Sequence, residues 1–296
     1  MTRPFRFGVN LRNVASGNDW AATCRRAEQL GYDVVLVPDH LGAPAPFPAL
    51  VAVAEVIQRP RLGTFVLNCG LWNPALLARE VATTDQLTGG RLELGLGTGY
   101  VKAEHDRAGL PYGSFPERVE HVHRTITELN RLLADPNYTP QPAQRPRPPL
   151  LIGAGSQRML RLAAAHADIV GFTGARLRPG SEVGELLPLD RPTFDQRVEL
   201  FRAMAGERVG EIEMNLLIQA VVVTDDRPAA TARLRAYGPE LSDEELLDLP
   251  ILLVGTATQI ADELRERRAR QGFSYFCVLE PYLEALAPVL EALHGE

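Results

Sequence analysis

The sequence lacks three features: an excess of positive charge, a metal-binding cysteine pattern and a long apolar run. Its net charge is −6, whereas non-specific nucleic-acid binding depends on a basic surface, so we expect no nucleic-acid partner. The three cysteines are odd in number and widely separated, which argues against a disulfide framework or a metal site. No stretch approaches the roughly 20 apolar residues of a membrane span, and no signal-peptide pattern is present. We therefore expect a cytoplasmic protein without a membrane partner.

Lysine and several catalytic motifs are also missing. Lys102 is the only lysine, against thirty arginines, so no other lysine is available to form a Schiff base. The sequence contains no G-x-S-x-G elbow, no H-E-x-x-H pair and no Walker loop. These absences weaken hydrolase, metalloprotease and nucleoside-triphosphatase interpretations.

Strand and helix patterns alternate along the whole chain without a break in composition. This alternation predicts a parallel α/β sheet, and about eight strands favour a single (β/α)8 TIM-like barrel over 1–296, with a doubly wound sheet as the alternative. The pattern predicts strands at 61–67, 213–223 and 251–254, and a polar connection at 101–115. The Gly- and Pro-rich segment 173–190 is a candidate lid, within a mobile insertion of about 173–210.

Four predicted strand ends carry residues typical of binding sites. These are Asp39-His40, the segment 64–69, Gly97-Thr98-Gly99 and the segment 153–156. In a barrel the carboxyl ends of all strands lie on one rim, where active sites are built. The sequence therefore predicts that these segments surround one ligand.

Gly155-Ser156 and His40 each allow two interpretations. Gly155-Ser156 precedes a predicted helix, whose first N–H groups favour an anion, although a tight turn capped by Ser156 would have the same sequence. The strand-end position and Arg158 favour a phosphate site. His40 is either a general acid or base or a loop histidine with a packing role, and its place beside Asp39 at the rim favours the first. We interpret the other five histidines as structural or exposed.

Several motifs give the chain a family resemblance over nearly its full length. The motifs are Asp39-His40-Leu41, NPALLARE at 73–80, Thr88-Gly89-Gly90-Arg91, LGLGTG at 94–99, GAGS at 153–156 with LRLAA at 160–164, and LVGT at 253–256. In these the chain resembles the bacterial luciferase-like monooxygenase superfamily, in its branch of coenzyme F420-dependent oxidoreductases. The resemblance implies a TIM-like barrel with an insertion (the luciferase-like fold).

The resemblance also implies a flat flavin or deazaflavin lying across the strand ends. Its ring would rest on a bulge with a non-prolyl cis peptide near Thr64-Phe65-Val66. The residues expected against the ring or its ribityl chain are Asp39, Thr64, Phe65, Leu67, Thr98 and Gly99. The residues expected around the phosphate are Gly155, Ser156, Arg158 and Met159. A homodimer is common in this family.

The catalytic residues that the resemblance implies are His40 and Tyr100. Sugar-phosphate dehydrogenases of this branch carry a proton-transferring glutamate directly after the Thr-Gly pair, where this chain has Tyr100. A phenol donates a proton at neutral pH better than it accepts one, which favours hydride transfer to or from another small organic substrate. The alternatives are an FMN-dependent monooxygenase and a non-catalytic flavin-binding barrel.

Overall fold

The computed structural model describes residues 3–13 and 16–296, so positions 1, 2, 14 and 15 of the predicted 1–296 domain lie outside the described residues. The described strands are β1 (Arg6–Asn10), β2 (Val34–Val37), β3 (Arg61–Thr64), β4 (Leu67–Asn68), β5 (Leu92–Gly97), β6 (Leu150–Gly153), β7 (Ile169–Phe172), β8 (Ala175–Leu177), β9 (Leu186–Pro188), β10 (Glu213–Ile218), β11 (Ala220–Val223), β12 (Leu252–Gly255) and β13 (Phe273–Leu279).

Helices alternate with these strands. The described α-helices are α1 (Gly17–Gln29), α2 (Pro46–Ala54), α3 (Pro74–Leu87), α4 (Lys102–Ala108), α5 (Phe115–Ala134), α6 (Gln157–His166), α7 (Arg191–Ala205), α8 (Arg227–Leu234), α9 (Asp243–Leu247), α10 (Ala257–Gln271) and α11 (Ala287–Ala292). Side-chain caps begin most of them; Ser114 and Glu117, for example, form a capping box at α5, which satisfies backbone N–H groups that have no partner inside the helix.

The main sheet closes into a parallel barrel, which confirms the predicted fold. Its strand order is β3-β2-β1-β13-β10-β7-β6-β5-β4, and a further β3–β5 pairing closes the circle. Since β3 and β4 are two segments of one interrupted strand, the barrel has eight strands. Every residue of β2 and of β5 is buried, as expected for strands that helices cover on one side and the barrel interior on the other.

The third barrel strand is interrupted where the sequence predicted one continuous strand. A cis peptide bond joins Phe65 and Val66 between β3 and β4, which confirms the bulge implied by the resemblance. The neighbouring strand accommodates it, because a Cβ on Gly97 would lie 2.6 Å from Cγ2 of Val66. A Cβ on Gly95 would overlap the carbonyl oxygen of Thr64. These glycines are therefore required by close approach of the protein's own backbone.

The prediction of one long strand over 213–223 is wrong, because this segment divides into two strands in different sheets. β10 belongs to the barrel, whereas β11 leaves it and pairs in parallel with β12. The backbone N–H of Gln219 donates to the carbonyl of Ile251 at 2.8 Å where the chain changes sheet. A separate apolar cluster that includes Ala220, Leu246 and Leu252 lies around the small sheet. The predicted strand 251–254 therefore lies outside the barrel.

The predicted lid and the predicted polar connection both contain regular structure. β8 and β9 form an antiparallel hairpin within 173–190, and α7 follows directly. The connection 101–115 contains the short helix α4. The loop of the hairpin lies against that connection: the N–H of Ala103 donates to the carbonyl of Glu182 at 3.3 Å, and Gly184 lies against Tyr100 and Val101.

The amino-terminal end of the barrel interior is filled by a charged cluster. Arg6 forms ion pairs with Glu93 and Glu213, and Arg61 pairs with Glu93 at 2.7 Å. The Arg6 guanidinium also lies 4.7 Å from the ring centre of Tyr275. Burial opposes the charge of Arg6, but the two glutamates outweigh it and raise its pKa. This end of the barrel is thus closed by charges that neutralise one another.

Candidate active site

A cavity of about 850 Å³ opens at the carboxyl ends of the barrel strands. This volume lies within the usual range for sites that bind small molecules and cofactors, about 300–1,000 Å³. Most of the residues predicted from the sequence line it together, although they come from four different strand ends. They are Asp39, His40, Phe65, Leu67, Thr98, Gly99, Tyr100, Gly155, Ser156 and Met159.

His40 lies between a carboxylate and a phenol at the cavity wall. Its Nδ1 is 2.8 Å from Oε1 of Glu104, and its Nε2 is 3.4 Å from the hydroxyl of Tyr100. The His40 and Tyr100 rings meet edge to face, with their centres 5.5 Å apart. Burial raises the pKa of the Tyr100 phenol, with Arg12 opposing and Glu104 adding to the shift. The phenol is therefore protonated at neutral pH and can donate a hydrogen bond.

Glu104 is a residue of the candidate site that sequence reasoning missed. It lines the same cavity from the first turn of α4, a helix that was predicted as a polar connection. Glu104 is the third residue of α4, and its side chain contacts His40, which lies 64 positions earlier in the chain. No local pattern in the sequence marks such a contact.

Asp39 connects the end of β2 to the interrupted strand. Its Oδ2 accepts from the backbone N–H of Asn68 at 3.1 Å and from Nε1 of Trp72 at 2.8 Å. Burial raises the pKa of Asp39, while these two donors lower it. Trp72 packs edge to face on Phe47 and supports Asp39 from behind the cavity wall. The Asp39 carboxylate thus fixes the position of the segment that carries His40.

The bulge forms an apolar part of the cavity, beside which one buried polar atom has no hydrogen-bond partner. Phe65, Val66 and Leu67 line it, and the carbonyl oxygen of Phe65 accepts from Nδ2 of Asn10 at 3.4 Å. Among the described residues Oδ1 of Asn10 is buried without a partner. Because a buried polar group is normally hydrogen-bonded, Oδ1 of Asn10 is suited to accept a hydrogen bond from a ligand.

The opposite part of the cavity is suited to an anion. Gly155 and Ser156 precede α6, and the Ser156 hydroxyl oxygen accepts from the N–H of Met159 at 3.3 Å. A Cβ on Gly155 would have no neighbour closer than 3.8 Å, so space remains there for a ligand. Helix N-termini with exposed N–H groups favour negative charge.

Two arginines that sequence reasoning did not identify strengthen this anion site. Arg176 of the hairpin and Arg197 of α7 both line the cavity, and Nη1 of Arg197 donates to the carbonyl of Gly155. Burial lowers the pKa of Arg197, and the neighbouring positive charge of Arg176 lowers it further. An anion between them would relieve this repulsion. No local motif marks either arginine, because they are distant from Ser156 in sequence.

Two residues predicted against the cofactor are placed away from the cavity. The Thr64 hydroxyl is buried, donates to the carbonyl of Gly95 at 2.9 Å and accepts from its N–H at 2.8 Å. Thr64 therefore connects β3 to β5. Arg158 is exposed on α6 and does not line the cavity; the next residue, Met159, is the one whose side chain turns inward. Gly99 lines the cavity, but Asn68 occupies the space that its Cβ would need.

Two further properties of the described chain bear on the site. In residues 3–13 and 16–296, no helix is both long and apolar enough to cross a membrane. Within the same ranges, no three His, Cys, Asp or Glu side chains come together as a metal site. The cysteines Cys24, Cys69 and Cys277 are buried and unpaired.

Sequence comparisons match the chain to one protein family. The model of the luciferase-like monooxygenase family matches residues 4–275. An F420-dependent glucose-6-phosphate dehydrogenase from Microbacterium testaceum (strain StLB037) is 31% identical over 97% of this chain and 88% of that enzyme. A dehydrogenase of the same description from Intrasporangium calvum is 36% identical, but the match covers 38% of this chain and 37% of that enzyme. An FMNH(2)-dependent dimethylsulfone monooxygenase from Pseudomonas putida is 30% identical over 33% of this chain and 31% of its own length.

Solved structures share the fold at low sequence identity. An F420-dependent secondary alcohol dehydrogenase in complex with an F420-acetone adduct superposes with a TM-score of 0.71 at 18% identity, covering 98% of both chains. A long-chain alkane monooxygenase superposes with a TM-score of 0.76 at 15% identity, covering 99% of this chain and 92% of that one. This likeness concerns the barrel architecture, which enzymes of different activity share.

Proposed function

Because this chain belongs to the luciferase-like monooxygenase family, we propose that it is an oxidoreductase that transfers a hydride between coenzyme F420 and a small organic substrate. The observation that carries this proposal is the group formed by Glu104, His40 and Tyr100 at the wall of the cavity. When a hydride moves to or from the carbon of a C–O group, a proton must move to or from its oxygen. The group formed by these three residues supplies an acid or base for that proton. The similarity to an F420-dependent dehydrogenase over 97% of the chain supports the choice of cofactor.

The lining residues fit a flat cofactor that carries a phosphate. When bound, the deazaflavin supplies the hydride acceptor or donor. The bulge at Phe65 and Leu67 would support its ring, with Thr98 and Gly99 beside it. The N-terminus of α6 at Gly155, Ser156 and Met159 would hold the phosphate together with Arg176 and Arg197. Arg176 and Arg197 take the place that the sequence assigned to Arg158.

His40 and Tyr100 would handle the substrate's proton. Nε2 of His40 lies 3.4 Å from the Tyr100 hydroxyl, and both residues line the cavity, where this nitrogen can accept or donate a proton. The raised pKa of Tyr100 keeps this residue a hydrogen-bond donor across the neutral range. Asp39 holds the strand end that carries His40.

An FMN-dependent monooxygenase is the second candidate function. The anion site would bind the phosphate of FMN equally well, and the Pseudomonas putida relative is described as FMNH(2)-dependent. The two functions differ in the need for oxygen. A homodimer stays a prediction for either function.

An anaerobic turnover assay distinguishes the two functions. Purified protein is mixed with oxidised F420 and a panel of alcohols, or with reduced F420 and the matching carbonyl compounds, and the visible absorbance of the deazaflavin is followed. We expect turnover without oxygen, and we expect His40→Asn to lower kcat by about 10²–10⁴-fold while the exposed His294→Asn leaves it unchanged. Activity that requires FMNH2 and consumes oxygen would establish the monooxygenase instead.

A further inference from the structure

Glu104 and His40 form a close pair at the edge of the cavity. The 2.8 Å contact joins Oε1 of Glu104 to Nδ1 of His40, and their side chains are only 13% and 17% exposed. At this exposure the pair is partly shielded from water, which strengthens the hydrogen bond between the two side chains. On the other side of the ring, Nε2 has the Tyr100 hydroxyl as its neighbour.

The chemistry of the two partners fixes which ring nitrogen carries the proton. An ionised carboxylate only accepts hydrogen bonds, so the 2.8 Å contact requires a proton on Nδ1 of His40. Neutral imidazole then has its lone pair on Nε2, the nitrogen near Tyr100. Without Glu104 the ring would be free to rotate and to place the proton on either nitrogen.

We propose that Glu104 is a positioning residue that holds His40 in the Nδ1–H tautomer, with Nε2 directed at the substrate. This inference rests on the proposed hydride transfer and adds to it the residue that orients the base. In the oxidising direction the substrate C–H bond breaks and its two electrons leave with the hydrogen as hydride to the cofactor. The substrate O–H bond also breaks, its proton goes to Nε2 of His40, and a carbonyl forms. The reducing direction reverses each step.

The site therefore contains a carboxylate, that of Glu104, although Tyr100 stands in place of a glutamate after the Thr98-Gly99 pair. The Glu104 carboxylate is occupied by His40, and it acts on the substrate through the imidazole. A substitution that removes it therefore affects the chemical step more than binding. That difference separates a positioning role from a purely structural one.

The first test measures the tautomer in the cofactor-free protein. The protein is labelled with ¹⁵N-histidine, and the signal of His40 among the six histidines is assigned from its loss in His40→Asn. We expect wild type to show protonated Nδ1 and unprotonated Nε2. Glu104→Gln should keep this signature, because its amide oxygen accepts the same hydrogen bond, whereas Glu104→Leu should lose it. Asp106→Asn is the control, since Asp106 lies on the same helix and pairs with Lys102 at the surface.

The second test measures steady-state kinetics of the same variants. We expect Glu104→Leu to lower kcat by at least about tenfold, a modest part of the effect of a general base, with KM and the cofactor Kd nearly unchanged. Glu104→Gln should recover much of the rate. The proposal is overturned by an Nε2–H tautomer in wild type, or by wild-type kcat in Glu104→Leu. An Nδ1–H tautomer in a protein that never turns over F420 would support the pair and reject the proposed function.

Discussion

The two ends of the barrel interior arrange their charged groups in different ways. At the amino-terminal end, Arg6 lies between Glu93 and Glu213, and Arg61 pairs with Glu93. At the carboxyl end, Arg176 and Arg197 both line the open cavity and are close enough for the charge of Arg176 to lower the pKa of Arg197. One end is neutralised from within the protein, and the other has charge to offer to a ligand.

This difference separates stability from function within one fold. Buried charges that pair with each other maintain the folded state, and removing one partner leaves the others uncompensated. Charges that face a cavity without neutralising each other cost stability and are suited to a ligand. Barrel enzymes place active sites at the carboxyl end of the strands, and the charge arrangement here agrees with that rule.

The largest expected effect is on stability, from Arg6→Met. Removing Arg6 leaves Glu93 and Glu213 buried with less compensation, which should lower the free energy of unfolding by about 3 kcal/mol, measured by urea denaturation. The control is Arg26→Met, because Arg26 pairs with Glu284 at the surface, where both side chains are largely exposed; its stability should be essentially unchanged. Equal losses of unfolding free energy in the two variants would show that the buried charge cluster stabilises the fold no more than a surface ion pair does.

The next effect is on cofactor binding, from Arg197→Gln and Arg176→Gln. Each substitution would remove one of the charge-assisted contacts proposed for the phosphate, and it should weaken F420 binding by about 10- to 100-fold with little loss of stability. Arg158→Gln is the matched control and should bind F420 as wild type does. A deazaflavin that lacks the phosphate should bind all of these variants with similar affinity. Selective weakening by Arg158→Gln would instead favour the residue predicted from the sequence.

The smallest effect concerns the hairpin loop that contacts Tyr100. Gly184 and Gly180 have the same φ of +77°, so an alanine at either carries a similar conformational cost, roughly 1–2 kcal/mol. A Cβ on Gly184 would lie 2.7 Å from both Tyr100 and Val101, whereas nothing lies within 4 Å of one on Gly180. Gly184→Ala should therefore lower kcat/KM, on the order of tenfold, while Gly180→Ala stays near wild type. Identical kinetics in both variants would show that the hairpin contact does not affect Tyr100.

The sequence supports the barrel because its signals are local and repeated. Strand and helix periodicity is visible within short windows, and it predicted the parallel barrel. The bulge at Phe65 was expected only from the family resemblance, because periodicity predicted one continuous strand over 61–67. The exit of the chain at Gln219 was not predictable, because β10 and β11 are separated only by that residue and both bury most of their length, so that only their partners differ. Strands that belong to different sheets show the same sequence pattern when both are largely buried.

The candidate site was predictable only where it lies on strand ends. Thr98 follows β5 directly, and His40 and Ser156 lie three residues after β2 and β6, so the position of active sites at the strand ends of a barrel identified them. Glu104 was missed because a short helix in a predicted loop turns it towards His40. Arg197 was missed because its contact with Gly155 joins residues 42 positions apart, and no local pattern reports such a distance. The glycines were recognised, but Gly97 and Gly99 are needed by contacts with Val66 and Asn68.

The central claim is that the open end of the barrel binds a deazaflavin, and parallel equilibrium titrations with F420 and FMN test it most directly. Binding is followed by the change in cofactor fluorescence with wild type and with Arg197→Gln. We expect F420 to bind at least about tenfold more tightly than FMN, and we expect Arg197→Gln to weaken the binding of F420. Tight binding of FMN with no measurable affinity for F420 would contradict it.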